Sequence, residues 1–376
     1  MLCGFASQTA SNVDMGLKVW ANSMILVVSV LSLLLSTLIW IDVSVEAAFE
    51  SRSELPCCLR DPLMDPVHEV HHGHDVVSQI PSHPKAILIF THGARSTSFE
   101  YFDQGPNCEQ CYGLPESRAV ALEALRRRYA VIVVTVVEAD GRDFNAAIVH
   151  DVVKEWMAEH MLDGLPLAIW GHSYGTFVAT FLIERLPIQA MVLSCGEGIL
   201  EVQEAADPQN FPPTLFGYMP MDQFYPGYNI TGKDMTAMAV LRSRGVVVAS
   251  IEFWPKPLSP LFFTERILCM SEEMSKAIYA AFERVGWVDG SGYLTKDPLS
   301  EDWESVLWEA DVLDFCPFDN HCLVAQVRQE LNMASAVHCF TSDGNSVIFP
   351  WLDATIHAPS GGEESIVKSP ALTANI

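Results

Sequence analysis

Hydrophobic positions recur in two rhythms through the middle of the chain. Unbroken apolar runs stand at 86–90 (AILIF), 130–137 (AVIVVTVV), 165–170 (LPLAIW) and 189–194 (QAMVLS). Between them the apolar residues return every three or four positions. Val120, Leu122 and Leu125 do so within 116–129, and Phe144, Ile148, Val152 and Trp156 within 143–162. Runs rich in β-branched residues predict strands, and i, i+4 spacing predicts helices with one buried face. A further helical stretch, 176–184, follows the run at 165–170. Apolar strands alternating with helices predict an α/β fold, a mostly parallel central sheet with helices on both faces. Crossovers of one hand bring the carboxyl ends of such strands to one edge, where sites gather.

The alternation breaks near Gly196. Residues from about 197 to 243 carry Phe211, Phe216, Tyr218, Phe224, Tyr225 and Tyr228 among five prolines, and read as an aromatic-rich lid insertion. Strand-like runs resume at 246–251 (VVVASI) and 260–264 (PLFFT). Ser271 suits the N-cap of a helix reaching Val285, and 303–313 and 320–331 also read as helical. Residues 334–337 predict a short strand ending at His338, with an apolar segment at 347–352. The ordered domain is therefore expected over 85–352. Residues 1–19 form an N-terminal tail, 43–84 a proline-bearing stalk or lead-in, and 353–376 a flexible tail.

Residues 20–42 change the picture of compartment. They are almost wholly apolar and about long enough to span a bilayer. Lys18 precedes them, and Asp42, Glu46 and Glu50 follow, which favours a cytoplasmic N-terminus and an exported body. Two fates stay open: a transmembrane signal anchor, or a signal peptide cut near Val45-Glu46-Ala47. The first gives a membrane-anchored protein with a lumenal or extracellular domain, the second a secreted one. Ten cysteines agree with export, and Cys57-Cys58, Cys108/Cys111 and Cys316/Cys322 lie close enough to suggest bridges. Asn229-Ile230-Thr231 is a glycosylation acceptor in such a compartment.

Charge narrows the partners. With 47 acidic and 22 basic residues the formal net charge is −25, which argues against a nucleic-acid partner and against charge-driven adhesion to anionic lipid. Histidines 68, 71, 72 and 74 crowd one short segment. With no further ligand close by, they read as an exposed stretch outside the fold. No metal and no cofactor are expected.

The chemistry concentrates at Gly171-His172-Ser173-Tyr174-Gly175, set between a predicted strand and a predicted helix. A glycine two residues either side of a serine lets the chain turn sharply enough to hold the hydroxyl on a bend. A serine hydroxyl needs a base, and an imidazole titrates in the useful range. His338 is the late histidine that follows a strand-like run, whereas His321 lies in a Cys-flanked turn and His357 in the tail. With Thr91-His92-Gly93 after the first strand and His338-Cys339-Phe340 near the end, the chain resembles the α/β-hydrolase fold superfamily over roughly 85–352.

That resemblance implies an acyl-transfer apparatus. Ser173 would be the nucleophile and His338 the general base, with the backbone N–H groups of Tyr174 and Ala94 forming an oxyanion hole. The acid is expected after a late strand, where Glu265 stands at the end of PLFFT and Glu252 at the end of VVVASI. Glu265 is the first choice and Glu252 the second. The implied activity is a serine hydrolase, carboxylesterase- or lipase-like, cleaving an ester of an apolar acyl group through an acyl-enzyme. A thioesterase or acyltransferase would use the same apparatus. A non-catalytic binding protein on the same scaffold is the rival from another class, supported by the missing aspartate.

Overall fold

Six residues that are all apolar except the last make β3 (Ala86–Thr91), buried along its whole length, and the sheet extends from it in both directions. The computed structural model describes residues 63–137, 140–196, 211–222, 229–268, 270–312 and 323–357. Among these residues the strands are β1 (Val67–His71), β2 (His74–Gln79), β3, β4 (Tyr129–Val134), β5 (Leu167–His172), β6 (Ile188–Ser194), β7 (Thr214–Tyr218) and β8 (Val248–Glu252). They form one sheet in the order β1-β2-β4-β3-β5-β6-β7-β8. β1 pairs with β2, and β2 with β4, antiparallel; every other neighbour is parallel.

The helices are α1 (Pro115–Arg126), α2 (Arg142–Glu159), α3 (Tyr174–Leu182), α4 (Ile230–Ser243), α5 (Phe262–Arg266), α6 (Glu272–Arg284), α7 (Trp303–Glu309), α8 (Leu323–Ser335) and α9 (Asn345–Ile356). Alternation along the strands divides the core between two faces. Ile87 and Ile89 of β3 pack with Val149, Val153 and Trp156 of α2, Val178 and Leu182 of α3, and Leu241 of α4. Leu88 and Phe90 point the other way, toward Val120 and Ala124 of α1 and Phe349 and Leu352 of α9. Each large side chain withdrawn from water contributes about 1.5–3 kcal/mol, so these two layers, rather than helix propensity, hold the helices in place.

A third apolar cluster lies apart from both layers. Phe262 and Phe263 of α5, Ile278 and Phe282 of α6, Leu307 of α7, and Val327 and Leu331 of α8 pack together. Cys195, just past β6, and Met219, just past β7, join them. The helical cap is therefore built from residues after β8 and seats on the carboxyl ends of β6 and β7.

This corrects the expected lid at 197–243. Within that span Thr214–Tyr218 is an interior strand, and Ile230–Ser243 is the crossover helix between β7 and β8. Residues 197–210 and 223–228 lie outside the described residues. The run PLFFT is not a strand either. Its two phenylalanines open the short helix α5 and bury into the cap, which shows why a short apolar run leaves the period undecided. Residues 334–337 end α8 and turn the chain, and 347–352 lie in α9.

Both ends of the domain move as well. The histidine-dense lead-in is a hairpin whose two-residue turn, His72-Gly73, has positive φ at both positions (52° and 81°). Its histidines are tied into the fold: His68 Nε2 meets Asp75 at 2.8 Å, His72 Nε2 meets Glu155 at 3.0 Å, and His74 Nδ1 donates to Thr135 O at 3.0 Å. At the other end α9 runs to Ile356, and Asp353 accepts hydrogen bonds from Lys85 and Tyr129, both at 2.6 Å. Cys108 and Cys111 are bridged. Among the described residues no helix is long and apolar enough to cross a membrane. The apolar segment 20–42, Cys57, Cys58, Cys316, Cys322 and the tail beyond 357 lie outside the described residues.

Candidate active site

Ser173 sits on the bend between β5 and α3, with φ 50° and ψ −121°. A β-carbon rarely tolerates that region, so surrounding structure must impose it, at a local cost of about 1–3 kcal/mol. Here backbone does so. A Cβ on Gly175 would lie 1.9 Å from the Thr91 carbonyl oxygen, and one on Gly171 would lie 2.7 Å from the Gly175 oxygen. The Thr91 hydroxyl donates to Gly175 O at 2.7 Å, and Ser173 N–H donates to Ser194 O at 2.9 Å. Strands β3 and β6 thus clamp the bend from either side.

The Ser173 hydroxyl lies 2.7 Å from His338 Nε2. On the far side of that ring, Nδ1 lies 2.9 Å from Asp222 Oδ2. A carboxylate can only accept, so Nδ1 carries the proton and Nε2 is left to accept from the serine. Asp222 is 4 % exposed, closes a turn with its N–H on Met219 O at 2.9 Å, and follows β7 by four residues. Serine, aspartate and histidine therefore come from the ends of β5 and β7 and from the loop between α8 and α9.

Neither expected glutamate reaches His338. Glu265 is exposed on α5. Glu252, at the end of edge strand β8, accepts from the Tyr218 hydroxyl at 2.7 Å and from Trp254 Nε1 at 3.1 Å. The carboxylate that meets His338 is an aspartate, Asp222, and it lies within the span expected to form a lid. Its signal was TLFGY itself, a β-branched and aromatic run between Pro212-Pro213 and Pro220, with Asp222 just beyond.

The two expected oxyanion donors, Tyr174 and Ala94, belong to segments that border the serine. Tyr174 is the first residue of α3, at the positive end of that helix. Ala94 follows Gly93, whose Cβ position would lie 3.4 Å from the Ser173 Cβ, so the loop after β3 passes against Ser173. His92 fixes the start of that loop. Its Nε2 accepts from Val136 N–H at 3.1 Å, so Nδ1 bears the hydrogen that it donates to Gly93 O at 2.8 Å. Burial lowers the His92 pKa, in keeping with a neutral, structural ring.

A second imidazole stands beside His338. The ring of His172 is 5.9 Å from that of His338, centroid to centroid, and its Nδ1 is buried without a protein partner. Burial first, then the neighbouring His338, push its pKa down to about 3. An imidazole whose protonated form is that acidic holds a proton poorly, so its proximity to Ser173 does not make it an effective base. Phe340 closes the group, with ring centroids 5.4 Å from His172 and from Trp170.

Sheet order, bend and late histidine give this chain the α/β-hydrolase fold. No family model matches it, and neither does any curated protein. Solved structures similar to it include a fungal esterase from Rhizomucor miehei, 14% identical over 50% of this chain and 73% of that one, TM-score 0.35. Dienelactone hydrolase from Anabaena variabilis is 16% identical over 51% and 88%, TM-score 0.37. A carboxyl esterase from Bacillus coagulans is 10% identical over 50% and 89%, TM-score 0.36. The fold assignment rests on this chain's own topology and site.

Proposed function

We propose that the chain is a serine hydrolase of carboxylic esters with an apolar acyl group. The observation that carries this reading is the unbroken line Ser173–His338–Asp222, at 2.7 and 2.9 Å. The Ser173 oxygen attacks the ester carbonyl while His338 Nε2 takes its proton. Asp222 holds the ring in the required tautomer and stabilises the imidazolium. Negative charge on the carbonyl oxygen is met by backbone N–H groups of Tyr174 and Ala94. His338 returns the proton to the departing alcohol, leaving an acyl-serine, and then draws a proton from the water that releases the acid.

The rival reading, a non-catalytic scaffold, leaned on an absent acid. Asp222 within hydrogen-bond reach of His338 removes that support. The apolar segment 20–42 belongs to the same proposal: it would hold the domain at a membrane on the lumenal or extracellular side, or be cut to release it. Carbonate extraction of membranes, read with an antibody to the C-terminal part, separates the two fates.

The test of the activity is covalent labelling by a fluorophosphonate, run beside hydrolysis of p-nitrophenyl esters of graded chain length. Wild type should label at one site. Ser173→Ala should abolish labelling, and both Ser173→Ala and His338→Ala should lower kcat by about 10⁵–10⁶ without lowering Tm by more than a few degrees. Wild-type protein that neither labels nor hydrolyses any ester would reject the reading.

A further inference from the structure

His338 is carried by a backbone that needs outside support. Ala336 has φ 51° and His338 φ 38°, two left-handed non-glycine residues within three positions. From His338 to the start of α9 at Asn345 the chain forms no helix or strand. One side of this stretch is held by Phe340 among Phe90, Tyr101, Trp170 and His172. The other side is held by charge.

Glu116, near the start of α1, is buried and spends one carboxylate oxygen on the loop. It accepts from Ser342 N–H at 2.6 Å and from the Thr341 hydroxyl at 3.1 Å, across more than 220 residues of sequence. Its other oxygen meets Arg266 Nη2 at 2.9 Å. The same Nη2 reaches Asp343 Oδ1 at 3.3 Å, and Arg266 Nε reaches Glu330 Oε2 of α8 at 2.5 Å. Lys256, on the segment after β8, pairs with Asp343 Oδ2 at 2.8 Å. One guanidinium on cap helix α5 therefore bridges three carboxylates, from α1, α8 and the loop of the base.

The arrangement is demanding electrostatically. Three buried or half-buried carboxylates face two cations, and Glu330 is fully buried with its second oxygen unpartnered. Burial, then the neighbouring Glu116, raises the Glu330 pKa well above the ordinary carboxyl range. A protonated Glu330 leaves two cations against two carboxylates. Ion pairs withdrawn from water give little net stability compared with apolar packing, but breaking one by removing a single partner is severe. Such a cluster specifies geometry more than it adds stability, and the geometry specified here is that of the loop behind His338.

We infer that Arg266 is a positioning residue for the general base: through Glu116 and Asp343 it couples the seating of the helical cap to the placement of His338. The inference rests on the hydrolase reading above and adds a dependence of catalysis on a residue that touches neither Ser173 nor its substrate. Arg266→Met keeps the length of the stem and removes the fork. Fluorophosphonate labelling and kcat on p-nitrophenyl butyrate should both fall about ten- to a hundredfold, the scale set by misplacing a reacting group by about 1 Å. KM should stay within about twofold. Arg266→Lys should recover part of the loss, since one ammonium cannot bridge in three directions.

Arg118→Met is the stability control. It breaks a comparably buried pair with Asp103 that includes no member of the cluster and no residue of the loop, and should lower Tm while labelling stays at the wild-type rate. Should Arg266→Met fail to accumulate folded, Glu116→Gln keeps the shape of α1 and loses the charge, with the same expected split. A lower Tm with wild-type labelling in both variants would overturn the inference. Absence of labelling in wild type would instead remove the hydrolase reading beneath it, and shows before any variant is made.

Discussion

The bend that holds Ser173 and the loop that holds His338 solve one problem in opposite ways. Each keeps a non-glycine residue at positive φ, 50° for Ser173 and 38° for His338. At the bend the constraint is backbone against backbone, and the glycines at 171 and 175 exist because nothing larger fits. At the loop there is no glycine between Ala336 and Asp343, and side chains from α1, α5 and α8 hold the chain instead. The difference teaches that strain imposed by local sterics leaves a motif in the sequence, whereas strain imposed by distant side chains leaves none.

The sharpest break of the comparison is at Gly175. A Cβ 1.9 Å from one carbonyl oxygen and 2.7 Å from another cannot be relieved by a rotamer change, because both belong to the backbone of Thr91, the last residue of β3, and of His92 just after it. Gly175→Ala should cost more than about 4 kcal/mol, at the exceptional end for a single substitution. Gly93 is the contrasting glycine, since its nearest neighbours would stand at 3.4 Å. Urea midpoints should therefore drop steeply for Gly175→Ala and only slightly for Gly93→Ala. Equal drops would mean that the bend is not held by steric contact with β3.

Next in size is Asp222, the proposed acid. Asp222→Asn keeps the contact to His338 but lets Nδ1 accept, so the ring adopts the wrong tautomer for the serine. On the scale known for this change in serine proteases, kcat should fall by about 10³–10⁴. Glu252→Gln and Glu265→Gln should stay within about threefold, since one is engaged with Tyr218 and Trp254 and the other faces solvent. Initial rates on one short-chain ester decide it. A collapse in Glu252→Gln with Asp222→Asn near wild type would reverse the assignment.

Those two substitutions also mark the limit of what was legible. The parallel sheet and the bend could be read because each rests on a short run of residues, apolar strands and a five-residue motif; His338 was reached as the late histidine after 334–337, a run that proves to be the end of α8 and the turn after it rather than a strand. Asp222 could not be read in the same way. Hydropathy ranks VVVASI above TLFGY, yet β8 is the half-exposed edge and β7 is buried at every position. Apolar content tracks burial on average, and here Pro212-Pro213 and the aromatics around β7 imitate a loop. The hairpin at Val67–Gln79 was hidden for a different reason: its valines, at 67, 70, 76 and 77, keep no period of two, and its histidines read as an exposed stretch. The ion cluster behind His338 is invisible to any local pattern, its partners being 64 to 226 residues apart.

The smallest expected effect concerns Glu100, on the 3₁₀ turn Ser98–Tyr101 of the loop that carries the proposed oxyanion donor Ala94. It offers a third way of holding a strained segment, neither pure sterics nor an ion cluster. Its Oε1 accepts from Thr97 N–H at 3.2 Å and from the Tyr112 hydroxyl at 3.3 Å. Burial raises its pKa from the ordinary 4.5 to about 7, and the hydrogen bonds only partly oppose this. The folded protein thus keeps the proton up to about pH 7, whereas the unfolded chain releases it near pH 4.5. Between those values the folded state binds more protons, so this group's contribution to stability is present below pH 4.5 and is lost as pH rises through 7. At about 1.4 kcal/mol for each pH unit, the loss amounts to roughly 3 kcal/mol. Glu100→Gln stays neutral and keeps an acceptor for Thr97 and Tyr112. Its stability relative to wild type should therefore rise between pH 5 and pH 8, by up to that amount, in urea titrations at the two pH values. Esterase rates at pH 8 should change by less than a factor of three, because the loop is held by His92 on its inner side. A relative stability that is flat or falling with pH would mean that Glu100 is ionised in the folded protein, and that the loop is braced by a buried charge as the His338 loop is.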